Sequence, residues 1–322
     1  MLKKTGVMVL FLLFILAACT KPLEKEEPTI VVGFSQSGTE SSWRKRHTES
    51  INEELAKENY QVLYKNGFMN QERQIQDIRT FIAYKVDIIV FTPLKEDGWE
   101  PVLKEARDAG IPVIITDRNV NVTDSSLYLT HIGPSFKAEG NRAGLYVYNY
   151  FKEKDQKTIN IFELKGLAST SPTTLRHEGF SEVIQRDSRM KITQTKSGDY
   201  IRLKGKEQMT KLIQSGEINK IDVLFSHNDE MTHGALDALK GSDIQPGKEL
   251  IIITIDAQED MILKLKSGDV NAVVECNPNA GWYVRNTISR YLKGNTIPEE
   301  VYMPETIFSD QSPLKTIPTR NY

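Results

Sequence analysis

The sequence predicts an α/β fold in two lobes, each built on a doubly wound parallel sheet. Three observations carry that expectation. From residue 29 onward, short β-branched runs alternate with stretches of helical period, the pattern of βαβ units with right-handed crossovers. A chain of 322 residues is long enough for two domains of roughly 100–200 residues. Four strand-like runs precede residue 130 and five follow it, dividing the pattern into two similar sheets.

In the first half, strands are expected at 30–35, 61–64, 88–92 and 113–117. Between the second and third, Ile75, Ile78, Phe81 and Ile82 share one face of a helix. Gly110-Ile111-Pro112 closes a helix and opens the next strand. In the second half, strands are expected at 158–164, 191–195, 223–226, 250–256 and 272–275. The chain carries no repeat of the roughly 20–50-residue solenoid kind.

Ligands of doubly wound sheets bind beyond the carboxyl ends of the strands. Polar residues collect there: Ser35-Gln36, Thr92, Asp117-Arg118, Asn228-Asp229, Asp256, and Glu275 with Asn277 all follow apolar runs. One such residue is commonly a helix cap or a turn residue, and Asp229 would serve as the cap of the helix that begins there. Six strand ends loaded in the same way point to a shared site.

Composition and missing motifs exclude other classes. The 41 Lys+Arg against 43 Asp+Glu leave a net charge of −2, with no electrostatic case for a nucleic-acid partner. At 39% hydrophobic and 26% charged, the chain is neither disordered nor a multi-span membrane protein. Cys19 and Cys276 cannot make a disulfide framework. No G-x-G-x-x-G follows the first strand, the segment from Gly241 to Lys248 is one residue too long for a P-loop, and no G-x-S-x-G elbow occurs. His227 and His233 lie six apart and miss the spacing of a zinc pair, so the five histidines read as surface or hydrogen-bonding residues. No cofactor and no metal site is expected, and the D-x-[DN]-x-[DN]-G calcium loop is absent. Asp229 and Asp256 would act as a glycosidase pair only at a fixed separation, which nothing in the sequence supplies.

The N-terminus reads as a separate signal. Lys3 and Lys4 precede an apolar run over 7–18 that ends in Leu16-Ala17-Ala18-Cys19. This is the order of a secretory signal, and the run is shorter than the about 20 residues of a spanning helix. The ending resembles a bacterial lipobox, which makes Cys19 the site of lipidation, with palmitate among the acyl chains. Residues 1–18 are then a signal peptide and 19–28 a polar tether. The mature protein is expected outside the cytoplasm, lipid-anchored at the membrane, where cytosolic ATP or nicotinamide chemistry is not available to it.

Several runs carry a resemblance that covers about residues 29–291. They are Val32-Gly33-Phe34-Ser35-Gln36, Ser41-Ser42-Trp43-Arg44, Gly98-Trp99-Glu100-Pro101-Val102-Leu103-Lys104-Glu105-Ala106 and Ile115-Thr116-Asp117-Arg118. Further on come Arg176-His177-Glu178-Gly179-Phe180, Ser197-Gly198-Asp199-Tyr200, His227-Asn228-Asp229-Glu230-Met231, Ile255-Asp256-Ala257 and Glu275-Cys276-Asn277-Pro278-Asn279. The chain resembles bacterial periplasmic sugar-binding proteins of the ribose/galactose type, the substrate-binding components of ABC importers, and within them the galactofuranose-binding branch. LacI-type repressors reuse this fold behind a helix-turn-helix; the segment ahead of Ile30 reads instead as signal and tether.

The resemblance implies a type I periplasmic-binding-protein fold and a non-catalytic receptor for a free monosaccharide, galactofuranose/galactose-like or a pentose. It implies a clamp whose chain crosses between lobes near residues 131, 276 and 303. The N-terminal lobe would comprise 29–131 plus 277–303, and the C-terminal lobe 132–276 plus 304–322. Planar side chains with paired donors or acceptors suit vicinal hydroxyls, and the implied ligand contacts are Arg118, Arg176, Asp117, Asp256 and Asn228. Trp43 would offer a flat wall to the sugar ring, with Arg44 beside it; Glu40, Glu275 and Asn279 match the branch as well. Trp99 and Trp282 are expected to be packing residues. Two departures stand out: the Ser/Thr-rich stretch 168–174, and Cys276 where ribose-type relatives tend to place glutamine. The implied partners are the sugar and the ABC permease subunits, with the protein itself a monomer. A receptor presenting sugar or a furanosyl autoinducer to a sensor kinase or chemoreceptor would use the same clamp, whereas a carbohydrate-active enzyme would turn over a glycoside.

Overall fold

The computed structural model describes residues 29–322. The expected signal peptide and tether, with Cys19, lie outside the described residues. Along the chain, β1 (Val31–Gln36), α1 (Ser42–Ala56), β2 (Gln61–Asn66), α2 (Gln71–Ala83), β3 (Ile88–Phe91), α3 (Glu100–Asp108), β4 (Val113–Thr116) and β5 (Thr130–Gly133) come first. There follow α4 (Phe136–Phe151), β6 (Ile159–Lys165), α5 (Ser171–Ile184), β7 (Met190–Ser197), α6 (Arg202–Gln214), β8 (Val223–Ser226) and α7 (Asp229–Leu239). The chain ends with β9 (Ile251–Asp256), α8 (Glu259–Ser267), β10 (Ala272–Glu275), α9 (Gly281–Leu292), β11 (Glu300–Tyr302) and β12 (Ile307–Ser309). Among the described residues, no helix is long and apolar enough to cross a membrane.

These strands form two six-stranded sheets, in the orders β11-β5-β4-β3-β1-β2 and β12-β10-β9-β8-β6-β7. Every neighbouring pair is parallel except β10 with β12. The α/β expectation of two doubly wound sheets holds. The chain passes from one sheet to the other after β5, after β10, and between β11 and β12.

Both faces of each sheet are buried, so the central strands are apolar throughout. In β3, Ile88 and Val90 pack with Phe34, Ile51 and Leu55 on one face. Ile89 and Phe91 pack with Phe81, Trp99 and Leu103 on the other, the alternation of a strand. In β8, Leu224 joins Met209, Met231 and Leu239, while Val223 and Phe225 join Phe136, Val147 and Phe180. Helices α4 and α5 approach almost backbone to backbone. A Cβ on Gly140 would fall 2.2 Å from the Arg176 carbonyl oxygen, and one on Gly179 2.1 Å from that of Lys137. Only glycine fits either position, and the resulting closeness sets Glu139 on α4 against Arg176 on α5.

Three expectations need correction. Strands β5 and β11 were not foreseen. β5 reads Thr-His-Ile-Gly, and it is buried because His131 bonds Glu300 Oε2 at 2.7 Å and the Asp117 carbonyl at 2.8 Å. Trp282 is not a packing residue: it is 50% exposed, one position off the α9 face formed by Gly281, Val284, Thr287 and Ile288. Trp99 is fully buried, as expected. The cap of α7 is Asn228, whose Oδ1 accepts the Met231 N–H at 3.0 Å; Asp229 is the first helical residue.

Candidate functional site

The carboxyl ends of both sheets face one cleft. From the first lobe, α1 presents Trp43 and Arg44 at its N-terminus, where the Ser41 hydroxyl accepts the Arg44 N–H at 3.1 Å. The turn after β4 presents Asp117 and Arg118, and Asp117 is held at φ +62°. A non-glycine residue in the left-handed region costs free energy, so the surrounding structure must hold it there. From the second lobe come Arg176 on α5, Asn228 ahead of α7, and Asp256, at φ +135°, the last residue of β9.

Glu40, Trp43, Arg44, Asp117, Arg118, Arg176, Asn228 and Asp256 thus line one cleft. Glu275 and Asn279 do not join them. Glu275 is turned to Arg320 and accepts the Thr306 N–H at 3.2 Å, while Asn279 Oδ1 accepts from Arg46 Nε at 2.9 Å. Cleft residues not foreseen as contacts are Ser41, Phe136, Pro172, Tyr200 and Cys276. Tyr200 is placed by its turn: the run Gly198-Asp199-Tyr200 after β7 has the backbone of Gly67-Phe68-Met69 after β2, which no sequence signal marks. In each run the last two residues are left-handed.

The cleft is charged and mostly internally paired. Arg44 Nη1 lies 2.6 Å from Asp117 Oδ2, and its guanidinium stands 4.7 Å from the Trp43 ring centre. Burial opposes the Arg44 charge, but Asp117 and Glu40 outweigh it and hold the pKa above the ordinary arginine range. Asp117 is in the converse position: burial pushes its pKa up, and Arg44 and Arg118 together pull it below the usual carboxylate value. Arg118 donates from Nη1 to the Leu94 carbonyl at 3.0 Å and stacks 5.5 Å from the Tyr200 ring across the cleft. Its pKa is lowered by burial and by Arg44 beside it. Arg176 donates from Nε to Glu139 Oε2 and from Nη1 to the His227 carbonyl, both at 2.7 Å.

Trp43 serves both walls. It packs among the buried residues of the second lobe, donates from Nε1 to the Cys276 carbonyl at 2.6 Å, and still lines the cleft. His47 stacks beneath it at 5.4 Å, kept neutral by burial, which brings its pKa down to about 3. Asp229 accepts from Thr254 Oγ1 and the Gln258 N–H, each at 2.8 Å, behind Asp256. Burial raises the Asp256 pKa to about 8.

Two cleft atoms remain unpaired although buried: the Arg118 Nε donor and the Glu40 Oε2 acceptor. A buried polar atom without a partner costs about 1–3 kcal/mol, so a ligand rich in hydroxyls that pairs both atoms recovers that cost. Among the described residues, one donor set has the spacing of metal ligands, Glu139, Cys276 and Glu305, whose atoms lie within 4.8 Å of one another. Arg176 pairs Glu139 at 2.7 Å and Arg142 lies 3.6 Å from Glu305, and burial raises the Glu305 pKa to about 10. Two guanidinium groups and a protonated acid make this a poor cation site.

A cleft between two parallel-sheet lobes, floored by guanidinium and carboxylate groups and walled by aromatic rings, defines a small-molecule binding protein. Residues 32–296 match the periplasmic binding protein domain family, and the chain belongs to that family. It is 37% identical over 285 residues to the galactofuranose-binding protein YtfQ of Escherichia coli (strain K12), covering 86% of this chain and 89% of that protein. Among solved structures, it is similar to the periplasmic binding protein component of the arabinose ABC transporter from Shewanella sp. ANA-3, bound to α- and β-L-arabinofuranose. That match has a TM-score of 0.83 and 37% identity, over 87% of this chain and 92% of the other. A Mycobacterium smegmatis structure in complex with β-D-fucofuranose gives a TM-score of 0.84 at 36% identity, over 88% and 92%.

Proposed function

We propose that this protein binds a free monosaccharide in its furanose form and delivers it to an ABC importer by hinge closure. The observation that carries this reading is the unpaired Arg118 Nε and Glu40 Oε2 in a cleft whose other polar groups come from both lobes. The similar proteins named above are a galactofuranose-binding protein, a periplasmic binding protein bound to arabinofuranose and a protein in complex with fucofuranose. In this reading, Arg118 and Arg176 each donate to neighbouring hydroxyls, Asp117 accepts, and Trp43 covers a ring face.

The two lobes, 29–131 with 277–303 and 132–276 with 304–322, rotate about the three crossings. A sugar drives that rotation only as far as it binds the closed form better than the open one, so contacts on both lobes are required. The protein works as a monomer, tethered outside the cytoplasm by lipid on Cys19, and the closed shape is what the permease recognises.

A thermal-shift panel of L-arabinose, D-ribose, D-galactose and myo-inositol tests the ligand class. A ligand at about 100 times its Kd adds roughly 2.7 kcal/mol, a rise of several degrees for domains of this size. A shift by L-arabinose, D-ribose or D-galactose is the expected outcome; a flat panel, or a shift by myo-inositol alone, which has no furanose form, would sink the reading.

A further inference from the structure

The Ser/Thr-rich stretch 168–174 lines no more of the cleft than Pro172. It joins β6 to α5, and it faces the loops that follow β3 and β4 of the other lobe. Two hydrogen bonds cross between lobes there. The Glu96 N–H donates to the Ser169 carbonyl at 3.0 Å, and the Asn119 N–H donates to Ser171 Oγ at 2.9 Å. Ser169 is held left-handed, at φ +60°, and Ser171 is 0% exposed.

The neighbouring hydroxyls are occupied within their own lobe. Thr170 Oγ1 and Thr173 Oγ1 each donate to the Leu167 carbonyl at 2.8 Å, and the Thr173 oxygen lies 2.7 Å from the Tyr200 hydroxyl. Among these side chains, Ser171 is the one that reaches across. Its partner is the peptide next to Arg118, and Ser171 itself lies five residues ahead of Arg176 on the same helix. The bond therefore ties the arginine-bearing segment of one lobe to that of the other.

We propose that Ser171 is a positioning residue that latches the closed clamp and sets how long a bound sugar stays. The inference rests on the hinge-closure reading given above. In the open form, water pairs both the Asn119 N–H and the Ser171 hydroxyl; in the closed form each depends on the other. Whatever favours the closed form alone raises sugar affinity by the same factor. Encounter takes place on the open form, so the latch acts on release rather than on association.

The test is stopped-flow binding of the panel sugar that shifts the melting temperature, on wild type, Ser171→Ala and the control Thr174→Ala. Ser171→Ala is expected to speed sugar release by roughly three- to ten-fold, the weight of one hydrogen bond, with association within about two-fold. Thr174→Ala, whose hydroxyl stays on its own helix, should release sugar at the wild-type rate. The melting temperature of sugar-free Ser171→Ala should match wild type, whereas a role confined to packing α5 would lower it. X-ray scattering of the wild type with and without the sugar reads closure separately. If the radius of gyration falls on binding while Ser171→Ala releases at the wild-type rate, the latch is wrong and closure stands. If the radius does not fall, or no panel sugar binds, the hinge reading and the latch fall together.

Discussion

Replacing Arg176 by alanine is expected to abolish sugar binding and to destabilise the protein by about 3–5 kcal/mol, the cost of breaking one partner of a buried ion pair. Arg176 is 3% exposed, and its guanidinium is shared between Glu139 Oε2 and the His227 carbonyl. Glu139 is fully buried and its second oxygen already lacks a partner. Without the guanidinium, that carboxylate loses the ion-pair partner it holds at 2.7 Å. The double variant Arg176→Met/Glu139→Gln removes both charges at similar volume and should recover most of the stability without recovering binding. Denaturant unfolding reads the first effect, and the sugar-induced thermal shift reads the second. A single variant that still shifts with sugar would remove Arg176 from the site.

Asp256→Asn is expected to flatten the pH dependence of stability between about pH 4 and pH 8. Burial is the main cause of the raised Asp256 pKa of about 8, with Arg176 pulling it down and Glu139 pushing it back up. In the unfolded chain the same group titrates near the ordinary ~3.9. Between the two values the folded state keeps a proton that the unfolded state has released. Stability is therefore full at low pH, falls by up to about 1.4 kcal/mol per pH unit as pH rises, and levels off above the folded pKa. Asparagine has the shape of the protonated acid and no charge to suppress. At pH 7 the variant should be at least as stable as wild type, with a residual slope from Asp229, whose pKa is raised by burial and by Asp256, and from Glu305, which burial raises to about 10. Asp117 has the opposite sign: Arg44 and Arg118 hold its pKa down, so its contribution is lost on acidification. Melting temperatures from pH 4 to pH 9 measure the difference, and an unchanged slope would contradict the assignment.

What could be read from the sequence follows from how locally each feature is determined. Strands such as β3 and β8 are legible because both faces are buried and every residue is apolar or small. β5 was not, because its burial depends on His131 meeting Glu300, 169 residues away. The cleft was legible where a polar residue ends or directly follows a strand, as with Asp117, Asn228 and Asp256. It was not legible where the backbone turns a side chain: Tyr200 enters the cleft through two successive left-handed residues, Asp199 at φ +54° and Tyr200 at φ +66°. Glu275 obeys the strand-end rule yet faces away, because Arg320 from the C-terminal segment claims it. Arg176 sits mid-helix, with no strand end to mark it. The resemblance supplied it, and the glycine contacts of α4 and α5 explain why it meets Glu139.

The central claim is that one sugar is held by side chains from both lobes at once. Titration calorimetry of L-arabinose and D-galactose into wild type, Arg118→Ala and Arg176→Ala tests it most directly. The account predicts one site per chain in the wild type for at least one of these sugars. It also predicts loss of measurable heat when either arginine is removed, since each stands on a different lobe. Binding that survives removal of either arginine, or a wild type that takes up neither sugar, would contradict it.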